Sequence, residues 1–421
     1  MRTVIGAVLR GIARSSSGLR HVRRPAVVGA PEFDLAYLRT GPRSRHPIVV
    51  VPGGPGLAST LPYRDLRRRA TRLGLDLIMI EHRGIGLSRT DTRAEDLPAS
   101  AMRIEAVLDD IAAVLDREDV ESAIVYGASY GSYLAQGFGV RHPTRVHAMI
   151  LDSPILSTRD HLVERELVRD LLLRGASPGT ARPAAAIRRL LADGEDPIDL
   201  LCVTRAAYEL GGHRLLDHVL ALRLRGVRGL AWRVLDAYAG RGAVAGAPIP
   251  CIYEFDLVGT IAFREMRYGP DPDGEPFDPT QAYAALAPDY EQFAGEPFDL
   301  EAELPRFVWP VVVMTGHDDL RTPPSIARRV AGLLPDAVLL EIAGGHSTLE
   351  SHPLAALRVM DRTRHGERGA LHDEVPVLDR LPRRGLSARL PEIVDAAARI
   401  DRLVARLRRA PRGRTEPRVD G

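Results

Sequence analysis

The chain contains no lysine and no asparagine, so all 57 of its strongly basic residues are arginine. Each absence excludes chemistry. A P-loop needs a lysine against the phosphates, a Schiff-base or pyridoxal-type site needs a lysine amine, and a kinase-like centre needs both residues. A Cys-His-Asn nucleophile is excluded in the same way. Lysine and asparagine share AT-rich codons, so coding bias accounts for the arginines, which imply no arginine-specific task. Cysteine is scarce as well. Cys202 and Cys251 are too few for a zinc cluster or a disulfide framework; two free thiols are expected, with a single bridge between them as the alternative. No hydrophobic run is long enough to span a bilayer.

With 57 basic and 55 acidic residues the formal net charge is +2, which leaves no electrostatic footprint for nucleic acid. The 421 residues, 45% of them hydrophobic, suffice for one large domain with an insertion or for two domains. The first 30 residues hold six arginines and no acid, which superficially resembles a targeting peptide. The apolar run from Val4 to Leu9 is too short for a signal segment, and Arg10 interrupts it. The expectation is a cytoplasmic protein with no membrane partner, in which residues 1–32 form a loose extension.

From Phe33 onward short β-branched runs alternate with helical periodicity, the pattern of a mostly parallel sheet wrapped by helices. Buried strands are predicted over 47–51, 75–80, 122–126, 147–151, 308–314 and 337–342. Between 102 and 117, Ile104, Val107, Leu108, Ile111, Val114 and Leu115 share one face of a helix. From 157 to 304 the alternation stops and the chain reads as mainly helical. That block is a cap inserted between two parts of one α/β core, residues 33–156 and 305–360. Residues 361–421 are expected to form a C-terminal extension, with a helix over 391–409 and a disordered polar tail.

Gly127-Ala128-Ser129-Tyr130-Gly131 stands between a predicted strand and a helix, where a sharp turn exposes the serine hydroxyl. Serine is a weak nucleophile at its ordinary pKa and needs a base, which in turn needs an orienting acid. Both partners occur at strand ends. Asp318-Asp319 follows the strand over 308–314, and Gly344-Gly345-His346-Ser347 follows the strand over 337–342. Three reactive side chains at the carboxyl ends of three strands lie where a doubly wound sheet places its site. His346 is the candidate base. One of the two aspartates orients it while the other begins the next helix. An oxyanion would be held by the amide of Tyr130 together with Gly53 or Gly54, in the loop after the first strand. No metal or organic cofactor is called for.

These segments resemble the proline iminopeptidase family of α/β-hydrolases. Val51-Pro52-Gly53-Gly54-Pro55-Gly56 is similar to the family's oxyanion loop, with Pro52 where the family has histidine. Glu81-His82-Arg83-Gly84-Ile85-Gly86-Leu87-Ser88 resembles its Arg-Gly turn, and residues 127–131 its nucleophile elbow. Gly316, Asp319, Thr322 and Pro323 match its acid loop, and Gly345-His346-Ser347 its histidine loop. The resemblance implies an α/β-hydrolase fold with a helical cap and selects Asp319 over Asp318. It also implies a serine aminopeptidase acting on a small peptide through an acyl-enzyme. Such an enzyme must recognise a free ammonium, for which Glu254, Asp256 and Glu265 in the cap are candidates; the alternative is that they are solvated acids. Tyr253, Phe255 and Phe263 either wall a small pocket or form cap core. An esterase or other small-molecule acyl hydrolase is the rival reading, and a non-catalytic binding protein of the same fold is the rival from another class.

Overall fold

The computed structural model describes residues 2–239, 248–384 and 389–407. Eight strands form one sheet: β1 (Leu19–Arg24), β2 (Phe33–Thr40), β3 (Ile48–Val51), β4 (Leu77–Ile80), β5 (Ala123–Ala128), β6 (Val146–Asp152), β7 (Val311–Gly316) and β8 (Ala337–Ile342). Their spatial order is β1-β2-β4-β3-β5-β6-β7-β8. The six strands from β4 to β8 across the sheet pair in parallel, and β1 and β2 add an antiparallel edge. β3, β4, β5 and β7 are buried along their whole length. Helices cover a parallel sheet on both faces, so such strands carry unbroken apolar runs. That is why the sequence shows them clearly.

The helices, in chain order, are α1 (Arg2–Arg14), α2 (Arg64–Arg72), α3 (Ile104–Arg117), α4 (Tyr130–Arg141), α5 (Asp160–Arg169), α6 (Ala181–Ala192), α7 (Pro197–Arg223), α8 (Leu230–Tyr238), α9 (Phe255–Arg264), α10 (Pro324–Leu333), α11 (Pro353–Arg364), α12 (Leu371–Arg380) and α13 (Leu390–Leu407). One face of the sheet packs on α3, α4 and α10 through Ile104, Leu108, Tyr133, Phe138 and Val330. All six residues of the predicted apolar face of α3 are buried. The other face packs on α2, α11 and α12 through Leu66, Leu357, Met360, Leu371 and Leu378. Between β6 and β7 the chain leaves the sheet and builds a helical cap, whose own apolar core joins α5 to α8.

Two expectations are corrected. Residues 1–32 are not a loose extension: α1 occupies Arg2–Arg14, and β1 pairs with β2 from Leu19 opposite Leu38 to Arg24 opposite Phe33. β1 reads Leu-Arg-His-Val-Arg-Arg, so only Leu19 and Val22 are apolar and no buried run announces it. Its arginines hold it instead. Arg20 reaches Glu118 and Arg24 reaches Asp110, each at 2.7 Å. At the other end, α12 supplies Leu371 and Leu378 to the same apolar layer as β3 and β4, so the core runs past residue 360. α13 packs Val394, Ala397 and Ala398 into the cap core. The polar tail over 408–421 lies outside the described residues. Among the described residues no helix is long and apolar enough to cross a membrane.

If α12 belongs to the core, Leu378→Ala should cost about 2–5 kcal/mol. Val377→Ala, at an exposed neighbouring position, should stay within about 0.5 kcal/mol of wild type. Urea denaturation followed by circular dichroism compares the two directly.

Candidate active site

Ser129 sits between β5 and α4 with φ +52° and ψ −122°, a strained turn that only close packing maintains. The flanking glycines make that packing possible. A Cβ on Gly127 would lie 2.2 Å from the Gly131 carbonyl oxygen, and one on Gly131 would lie 2.1 Å from that of Val51. His346 comes from the loop after β8. Its Nε2 is 2.8 Å from Ser129 Oγ, and its Nδ1 is 3.0 Å from Asp319 Oδ2 and 3.1 Å from Oδ1. Asp319 comes from the loop after β7. The two loops touch backbone to backbone, since a Cβ on Gly316 would meet Gly345 O at 2.1 Å. The His317 amide donates to Ile342 O at 2.9 Å and the Asp318 amide to Gly344 O at 2.8 Å. The Asp318 backbone thus joins the loops, while the Asp319 carboxylate faces the histidine.

Asp319 is fully buried. It accepts from the Arg321 amide at 2.9 Å, the Thr322 amide at 3.0 Å and the Thr322 hydroxyl at 3.0 Å. Burial pushes its pKa up, but the charge and hydrogen bond of His346 and the bond from the Thr322 amide outweigh burial and leave it below the ordinary carboxylate value. For His346 the balance is the mirror image. Burial pulls the imidazole down, Asp319 pulls it up, and the net result lies above the ordinary histidine value. This pair keeps a proton on Nδ1 and leaves Nε2 free to accept from Ser129 Oγ.

The candidate oxyanion donors surround the serine. Gly53 touches it: a Cβ there would lie 3.1 Å from Ser129 Cβ. Gly54 adopts φ +127°, a glycine conformation, and its carbonyl accepts from the Tyr268 hydroxyl at 3.1 Å. Tyr130 begins α4, where the backbone N–H has no intrahelical acceptor. Residues absent from the sequence reading support the histidine loop from below. Asp152 ends β6 and accepts from the Thr348 and Leu349 amides at 2.9 and 2.8 Å. Ser153 Oγ accepts from the Ser347 amide at 2.9 Å. Their only sequence signal was the position of Asp152-Ser153 at the end of a buried strand.

A cavity of about 740 Å³ opens above Ser129 and His346, between core and cap. Its wall includes Tyr253, Tyr268 and Tyr283, and the pairs Arg205–Glu164 at 2.8 Å and Arg321–Glu209 at 3.2 Å. Glu209 lies on α7 just before Gly211 and Gly212, where the helix kinks, and it packs against Gly345 of the histidine loop. Its Oε1 is buried and has no hydrogen-bond partner among the described residues. Burial raises the Glu164 carboxyl to about 7.

The three cap acids proposed for ammonium recognition do not line this cavity. Glu254 accepts from the Gly86 amide at 2.6 Å and the Cys251 amide at 3.0 Å. Asp256 pairs with Arg89 through both oxygens, at 3.0 and 2.7 Å. Glu265 accepts from the Ile104 amide at 2.7 Å, at the start of α3. They fasten cap to core, because that interface buries backbone N–H groups that need acceptors. Of the aromatics, Tyr253 lines the cavity, and Phe255 and Phe263 lie in an aromatic cluster with Tyr290. Cys202 and Cys251 are buried free thiols. Among the described residues no group of three or more His, Cys, Asp or Glu side chains is placed to hold a metal ion.

The sheet order, the elbow and the inserted cap define an α/β-hydrolase fold. Residues 46–188 match the family model described as alpha/beta hydrolase fold. The proline iminopeptidase of Mycobacterium smegmatis superposes with a TM-score of 0.50 at 20% identity, covering 84% of this chain and 100% of that one. The esterase RhEst1 of Rhodococcus sp. ECU1013 gives 0.46, also at 20% identity, over 84% and 100%. The polyketide synthase ThaQ of Burkholderia thailandensis is 27% identical over 368 residues, which are 82% of this chain. The match spans only 14% of the length of that synthase.

As a triad nucleophile, Ser129 would react only while His346 Nε2 is unprotonated. Its labelling by a fluorophosphonate should therefore rise with pH through a midpoint above about 6.5, the ordinary histidine value. Asp319→Asn should move that midpoint down, since the charge that raises it is gone, and slow labelling on the order of 10⁴-fold. Stopped-flow labelling across pH 5 to about 9 reads both effects, and an unmoved midpoint would remove Asp319 from the orienting role.

Proposed function

We propose that this chain is a serine hydrolase that works through an acyl-enzyme. The observation that carries the reading is the continuous hydrogen-bonded line from Ser129 Oγ to His346 Nε2 at 2.8 Å and from His346 Nδ1 to Asp319 at 3.0 Å. His346 takes the Ser129 proton as the oxygen attacks a substrate carbonyl. The Tyr130 amide and that of Gly53 or Gly54 receive the oxyanion. His346 then passes the proton to the leaving group as its bond to the carbonyl carbon breaks. Water, deprotonated by the same imidazole, attacks the ester and releases the acid and the Ser129 hydroxyl. These steps require no metal or organic cofactor. Two unpaired thiols fit a reducing compartment such as the cytoplasm.

The substrate we favour is a small peptide or amino-acid amide with a free N-terminus, as the sequence motifs suggest for a proline iminopeptidase-like enzyme. The cavity offers an acceptor for its ammonium in Glu209, whose buried Oε1 is unpartnered, with Glu164 beside Arg205 on the same wall. These two acids replace Glu254, Asp256 and Glu265 in that role. A second reading, a hydrolase for a bulkier acyl ester, is favoured by the volume of about 740 Å³, well above what one residue fills.

Matched prolyl and N-acetyl-prolyl anilides separate the two. The peptidase reading expects the free amine to be cleaved far faster. Glu209→Gln should then lower kcat/KM for it by roughly 10- to 150-fold, the worth of one charge-assisted hydrogen bond of about 1.5–3 kcal/mol. Faster cleavage of the blocked compound or of a simple ester would make the protein an acyl hydrolase. Failure of folded wild-type protein to label at Ser129 would make it a non-catalytic binding protein.

A further inference from the structure

The loop that carries His346 is also gripped by the segment that follows α12, whose Arg383 lines the same cavity. Ala343 leaves β8, and Ser351 ends the short helix Thr348–Ser351, so these two residues are the feet of the loop. The Arg383 guanidinium spans them. Its Nη2 donates to Ala343 O at 2.7 Å and its Nη1 to Ser351 O at 3.2 Å. Asp379, near the end of α12, accepts from the Ala343 amide at 2.8 Å. Both backbone polar groups of Ala343 are therefore held by the same C-terminal segment. One residue beyond the loop, His352 Nε2 donates to Leu378 O at 2.9 Å, a second link to α12.

The loop needs this support. Gly344 at φ +131° and Ser347 at φ +58° lie outside helical and strand geometry, so no ladder of regular hydrogen bonds fixes their backbone. The Asp318 amide holds the inner edge of the loop through Gly344 O at 2.8 Å. The guanidinium packs on the same glycine, with Nη1 3.4 Å from where a Gly344 Cβ would be. A planar guanidinium presents donors at a fixed spacing, which suits two carbonyls at a set separation; an ammonium has no such fork.

We infer that Arg383, with Asp379 beside it, is a positioning residue for His346. It keeps the imidazole at hydrogen-bond distance from Ser129 without touching the reacting atoms. The inference rests on the serine-hydrolase reading and extends the functional unit into a segment that the motifs of that reading do not reach. Anchoring α12 itself does not require Arg383, because Leu371 and Leu378 already bury that helix in the core.

The test compares wild type, Arg383→Ala, Arg383→Lys and, as a control, Arg384→Ala at the exposed neighbouring position. The readouts are the rate of fluorophosphonate labelling at Ser129 per folded molecule, the thermal midpoint, and kcat and KM on the best substrate found. A misplacement of about 1 Å can cost 10²-fold, so Arg383→Ala should label roughly 10- to 100-fold more slowly. Arg383→Lys should recover part of the rate, Arg384→Ala should label like wild type, and kcat should fall more than KM rises. If Arg383→Ala does not fold, Arg383→Lys carries the test, and labelling at the wild-type rate overturns the inference. A loss that vanishes on correction for folded protein overturns it too, by making Arg383 purely structural. A KM increase with unchanged labelling also overturns it, by making Arg383 a substrate contact. Absence of labelling in wild type defeats the underlying reading instead, and shows before any substitution is made.

Discussion

Asp319 is a carboxylate with no exposure to solvent that nonetheless stays ionised, and the carboxyl edge of the sheet is arranged around that requirement. An isolated carboxylate at that depth would take up a proton, because desolvation costs several kcal/mol. Here two amides and a hydroxyl from the turn before α10 satisfy it, and His346 supplies the opposing charge when protonated. The histidine belongs to the next strand's loop. It comes within reach only because Gly316 and Gly345 let two backbones approach more closely than any side chain allows. The same pair sets the proton affinity of His346, whose Nε2 lies 2.8 Å from Ser129 Oγ.

The cap is held down by the same physics in another place. Where it meets the core, turns and a helix start would bury unpaired backbone N–H groups at Gly86 and Ile104. Glu254 and Glu265 accept from them. A buried carboxylate with such donors is satisfied, so these acids are not free to bind a substrate amine. Within the cavity the pattern reverses. Glu164 and Glu209 are offset by Arg205 and Arg321, and Glu209 keeps one oxygen unpartnered. Arginine as the sole strong base suits both roles, because its fork pairs bidentately with carboxylates, as in Arg39–Asp76, Arg83–Asp110 and Arg89–Asp256.

What was legible in the sequence was local. The buried parallel strands are continuous apolar runs, the α3 face repeats at helical spacing, and Ser129 and Asp319 follow such strands, whereas His346 follows β8, which is only partly buried and carries Glu341. Their sheet neighbours were not legible. β1 has two apolar residues in six and is recruited by ion pairs to Glu118 and Asp110, residues about ninety positions away in the chain. Nothing within residues 361–421 says which layer the apolar faces of α12 and α13 will meet. The cap acids misled because a carboxylate's role depends on which N–H groups come to face it.

The sequence by itself determined the sheet's central strands, the elbow at Ser129 and the chain order serine, aspartate, histidine, since each rests on residue spacing within one element or turn. Only the tertiary structure decided which acids face the cavity and which fasten the cap. It also decided that Leu19–Arg24 form an edge strand of the sheet and that Arg383 braces the histidine loop. The physical reason is the same in every case. Hydrogen bonds and ion pairs are satisfied by whatever lies within about 3 Å, and for these residues that partner is distant in the chain and brought close only by folding.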